Sequence, residues 1–89
     1  MVTMTNINEP INVWVFFKRN MIQPYLFFWK ARQIKIDKVN LVHTSRDGSS
    51  VFYHFSVSSG SNFYRLKFDV NRLKWFLEQV DLDENDFTL

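Results

Sequence analysis

His43 and His54 are the side chains with the widest chemical repertoire in this chain, since two imidazoles could hold part of a metal site. They flank Arg46-Asp47-Gly48-Ser49, and Asp-Gly suits the positive φ angles of a tight hairpin turn. Pairing symmetric about residues 47 and 48 would set residue 43 near residue 52 and leave His54 within reach. A metal needs further ligands, and no carboxylate stands at ligand spacing beside either histidine. The bland alternative is a polar side chain on a solvated or half-buried strand face. The sequence also has no glycine-rich phosphate loop, no nucleophile elbow and no pair of inward carboxylates. With no cysteine there is no thiolate nucleophile, thiol-bound zinc or disulfide. The expectation is a protein that is not an enzyme and takes no cofactor or metal.

A different chemistry runs through the rest of the chain. Aromatic residues make up 18%, with ten Phe, three Trp and three Tyr, and they interleave with Lys and Arg. Rings for stacking beside cations for phosphates are what single-stranded nucleic acid uses, each stacked base contributing about 1–3 kcal/mol. The residues that this reading singles out are Trp14, Phe16, Tyr25, Trp29, Lys30, Arg32, Arg65 and Lys67. The competing explanation is structural: a small chain dense in large rings buries enough apolar area to fold without staples. The net charge of +2 argues against a strong electrostatic binder, although its distribution is uneven. Residues 1–69 carry nine Lys/Arg against four Asp/Glu, and residues 70–89 carry two against five.

The elements that must position these residues are strands, because period-two alternation dominates. Ile11, Val13, Val15 and Phe17 form one face of a first strand, with Trp14 and Phe16 on the other. Pro24 ends the break that follows, and residues 25–30 form a second strand in which Tyr25, Phe27 and Trp29 share a face opposite Leu26, Phe28 and Lys30. Both faces of that strand are apolar, so part of it is expected to lie exposed for a partner or a second copy. Residues 33–44 read as one long strand whose inward parity changes between Ile36 and Val39, the mark of a bulge near Asp37-Lys38. Two hairpin strands follow, with Tyr53, Phe55, Leu66 and Phe68 facing in and Ser58–Asn62 as the loop between them. Residues 70–80 read as a turn into a final strand, with a short C-terminal helix as the alternative.

At 89 residues the chain is a single domain. The expected division is a flexible N-terminus over 1–9, one β-domain over 10–82 and an acidic tail over 83–89. Five to six short antiparallel strands with rings on both faces would curl into a small SH3-like meander barrel, which covers the rings and protects the edges. Without a signal-peptide pattern or an apolar stretch of the roughly 18–20 residues that a membrane span needs, the expected location is the cytoplasm.

Glu9-Pro10-Ile11-Asn12-Val13, Phe28-Trp29-Lys30-Ala31-Arg32, Tyr53-His54-Phe55-Ser56-Val57, Tyr64-Arg65-Leu66 with Asp69, and Trp75-Phe76-Leu77 together resemble a family of small uncharacterised bacterial domains. Its members run roughly EPIxV, FxWxGR, YFxV, YxLxxD and WxL, and the resemblance spans residues 9–80. Ala31 stands where the pattern has glycine, which argues against a positive-φ turn at that position. The resemblance implies neighbours similar to Y-family, lesion-bypass polymerases, and assigns no catalytic residue. These readings converge on a non-catalytic binding module with an aromatic and basic face for a protein or single-stranded nucleic-acid partner. The alternative is a structural homo-oligomer subunit that buries the same rings against a second copy.

Overall fold

The computed structural model describes residues 4–83, so the acidic tail beyond Asp83 lies outside the described residues. Seven antiparallel strands replace the expected five or six: β1 (Thr5–Lys18), β2 (Met21–Trp29), β3 (Arg32–Lys35), β4 (Lys38–Asp47), β5 (Ser50–Ser59), β6 (Asn62–Asp69) and β7 (Lys74–Asp81). No helix occurs among the described residues, and the final segment is the strand β7. The sheet order is β3-β2-β1-β7-β6-β5-β4.

Consecutive strands β3 and β4 therefore stand at opposite ends of the order. In a flat sheet they would be about 29 Å apart, six strand spacings of roughly 4.8 Å. Lys35 and Lys38 are joined by only Ile36 and Asp37, a link that spans about 11 Å at most. The sheet must curl to bring its two ends toward each other, and it forms a curled half-barrel. The link is stitched to the strand next to each end: Ile36 N–H donates to the Tyr25 carbonyl of β2 (2.9 Å), and Asp37 N–H donates to the Ser58 carbonyl of β5 (2.8 Å). The parity change read as a bulge is thus a strand break. Asp37 also accepts the Gly60 N–H (2.6 Å), tying the break to the β5–β6 turn, where Gly60 has φ +59°.

β1 is the shared strand. Its first part pairs with β7 from Thr5 to Ile11, and its second part pairs with β2 from Asn12 to Lys18. Pairing begins at Thr5, so residues 5–9, expected as a flexible lead-in, are held as strand against Val80, Gln79 and Leu77. The concave side closes over Phe27, Trp29, Phe55, Tyr64, Leu66 and Leu77. Their rings meet edge to face where Phe27 and Tyr64 stand 5.1 Å apart, and stack where Phe68 and Trp75 are 4.7 Å apart. Phe55, Leu66 and Phe68 lie in the core as their parity predicts, while Val13, Val15 and Tyr53 pack against its margin.

Two turns bear on the site. The β2–β3 turn has Lys30 at φ +53° and Ala31 at φ +59°, so the left-handed turn forms here without glycine. Cross-strand pairing of Phe27 with Ile34, both buried, holds it in place. In the β6–β7 turn, buried Asp69 accepts the Asn71 and Arg72 amides (3.0 and 3.1 Å) and the Arg72 guanidinium (3.1 Å). Burial pushes the Asp69 carboxyl up, but the Arg72 amide, the Arg72 guanidinium and its charge, and the Asn71 amide outweigh it and hold the pKa below the usual aspartate value.

Candidate functional site

The outer face of β1–β2 collects exposed rings. Trp14 and Phe28 meet edge to face at 5.0 Å, and Phe16 and Tyr25 do so at 5.3 Å. Trp14 is 52% exposed and Phe16 53%, so each ring pair offers faces and edges to solvent. Tyr25 reaches this face through a bulge: opposite Trp14 and Val15 the β2 partners jump from Leu26 to Pro24, and Tyr25 is the extra residue. Pro24 has no N–H to give to the ladder, which is why the bulge is tolerated there. The expectation that Tyr25, Phe27 and Trp29 share a face fails for this reason.

Cations ring the patch. Lys35 Nζ stands 5.7 Å from the Tyr25 ring centroid, and Lys18, Lys30 and Arg32 are exposed at the two ends of β2. Across residues 9–38, six Lys/Arg face two acids, Glu9 and Asp37, and Glu9 is bound to Trp29 while Asp37 is bound to Gly60. A groove of ≈ 690 Å³ opens beside Trp14 where β1 leaves β7, lined by Pro10–Val15 and Leu73–Trp75.

Trp29 is not part of the patch. It is 8% exposed, its indole N–H donates to Glu9 Oε2 at 2.8 Å, and its ring meets Tyr64 at 6.4 Å. It is a core anchor, and Lys30 Nζ lies 4.9 Å from its ring centroid. Arg32 pairs across the ladder with Trp29 and points its charge to solvent.

Arg65 and Lys67 belong to a different stretch of the outer surface, on β6, with β7 between them and β1. Lys67 Nζ stands 5.2 Å from Phe52 and 5.1 Å from Phe76, a cation held between two rings. Arg65 is half-buried, and its Nε has no hydrogen-bond partner. The eight residues singled out in the sequence therefore divide into an exposed ring group (Trp14, Phe16 and Tyr25), a turn group (Lys30 and Arg32), a core residue (Trp29) and a separate pair on β6.

The histidines sit on that second stretch and are closer to each other than expected. The hairpin turn is Gly48-Ser49, with Gly48 at φ +63°, so His43 pairs with His54 rather than residue 52. Their rings stack at 4.6 Å and 7°. His54 Nδ1 lies 2.7 Å from Glu78 Oε1, and Nε2 lies 2.7 Å from Ser45 Oγ. Sequence spacing placed no carboxylate beside either histidine, yet Glu78 arrives from 24 residues away. The signal that could have found it is the three-residue spacing of buried Leu77 and Val80, which betrays a bulge that turns both Glu78 and Gln79 outward. Among the described residues no group of three or more His, Asp or Glu could hold a metal ion.

No protein-family model matches this chain, and neither a curated protein nor a solved structure gives a match. Among the described residues no helix is long and apolar enough to cross a membrane.

Proposed function

We propose that the outer face of β1–β2 is a non-catalytic binding surface for single-stranded nucleic acid, in a module that works in a bacterial cytoplasm. The observation that carries the reading is the exposure of two edge-to-face ring pairs, Trp14–Phe28 and Phe16–Tyr25, inside a segment with three cations for each acid. Rings without cations would suit an apolar partner, and cations without rings would suit any polyanion. Together they match unstacked bases on a phosphate chain.

Trp14 is itself the reporter. Oligothymidylate should quench its fluorescence, whereas Trp29 and Trp75 are buried and should respond little. Absence of quenching at low salt would count against the assignment of this face.

A second reading is a homo-oligomer subunit, favoured by Leu41 and Val42, which are exposed on the edge strand β4. Sedimentation showing a monomer at high micromolar concentration would remove it.

A further inference from the structure

We propose that Ser45 is a reactive nucleophile, activated by His54 and oriented through Glu78, that takes the acyl group of an activated ester. The three residues come from three strands, β4, β5 and β7. Ser45 Oγ is 2.7 Å from His54 Nε2, and His54 Nδ1 is 2.7 Å from Glu78 Oε1. An ionised carboxylate can only accept, so Nδ1 carries the ring hydrogen and donates it to Glu78. In the neutral ring Nε2 then holds the lone pair, and the Ser45 hydroxyl donates to it. That is the order in which a nucleophile, its base and an orienting carboxylate must stand.

The surroundings hold the imidazole in this plane. The His43 ring stacks on one face of it, and the bulge at Glu78 aims the carboxylate at Nδ1. Directly across the ladder from His54 is Lys67, which places a cation on the same outer surface. Both His54 and Glu78 are largely shielded, at 12% and 19% side-chain exposure, which limits competition from water for the two hydrogen bonds.

The step balances within these residues. Ser45 Oγ bonds to the carbonyl carbon as its proton passes to His54 Nε2. The bond from that carbon to the leaving oxygen then breaks, and the proton departs on the alcohol. The product is one acyl-Ser45 ester for each chain. Glu78 touches no substrate and is a positioning residue.

The test is reaction of the full chain with a fluorophosphonate probe, in which Ser45 Oγ displaces fluoride from phosphorus, followed by intact mass and peptide mapping. The expected result is a single adduct on Ser45, absent in Ser45→Ala and formed at least about a hundredfold more slowly in His54→Ala, the scale of general-base assistance. Glu78→Gln keeps the shape of the side chain and should slow labelling at an unchanged circular-dichroism spectrum, whether or not His54→Ala folds. A purely structural hydrogen-bond chain would predict no adduct on wild-type Ser45. That result, or labelling of Glu78→Gln at the wild-type rate, overturns the proposal.

Discussion

Replacing Trp29 by alanine should damage the fold, while the same change at Trp14 should damage the surface. Trp29 is 8% exposed and wedged between Tyr64 and the Lys30 side chain. Truncating a buried tryptophan costs about 3–5 kcal/mol through lost burial and the cavity left behind. The Glu9 carboxylate also loses its indole partner, but Glu9 is exposed and water can replace the bond, so this adds about 1 kcal/mol or less. For a domain of this size, whose whole stability is about 4–13 kcal/mol, that is a large fraction. It corresponds to a fall in melting temperature of at least about 12 °C. Trp14 is half exposed and loses chiefly its pairing with Phe28, about 0.5–1.5 kcal/mol. Urea unfolding followed by far-ultraviolet circular dichroism separates the two cases without depending on the tryptophans as reporters. Equal losses for the two variants, or a larger loss for Trp14→Ala, would refute the assignment of one ring to the core and the other to the surface.

Three further outcomes follow from the turns and the second outer surface. Ala31→Gly should stabilise the chain by about 0.5–1 kcal/mol, because it relieves an L-residue at φ +59° at some cost in unfolded-state entropy, and thermal melting reads the gain. The depressed pKa of Asp69 means that its contribution is complete above its unfolded value of about 3.9 and is lost as the pH falls further, through the folded value. Asp69→Asn should therefore be less stable than wild type at neutral pH and flatten the acid limb of the stability curve, as urea midpoints between pH 2 and 7 would show. Lys67→Ala should cost about 1–2 kcal/mol by removing the cation held between Phe52 and Phe76, and Lys67→Arg should restore most of it.

The strands were legible in the sequence wherever apolar and polar residues alternate over several positions, as from Ile11 to Val15 and from Tyr64 to Phe68, although the expected inward set overran to Phe17 and Val70, which are exposed. What hid the rest was local irregularity. Thr5 to Pro10 has almost no apolar residue, and only its pairing with β7 makes it a strand. Bulges at Tyr25 and Glu78 reverse the face on which a side chain emerges, and a single sequence shows them only as a broken period. The strand break at Ile36-Asp37 carries neither glycine nor proline, since long-range hydrogen bonds to β2 and β5 define it. Of the proposed binding residues, Trp14 and Phe16 were readable from parity alone. Trp29 was not, because a tryptophan in a run of rings looks the same whether it anchors a core or faces a partner. The Ser45–His54–Glu78 chain joins residues from three strands, which no local spacing records.

The most direct test of the binding face is an anisotropy titration of labelled single-stranded DNA, at low and moderate salt, with wild type, Trp14→Ala and Phe16→Ala. Binding should weaken with added salt, exceed that of the matched duplex, and fall by about 1–3 kcal/mol for each ring removed, roughly five- to 150-fold. Wild-type affinity in both variants, or equal affinity for single strand and duplex, would contradict it.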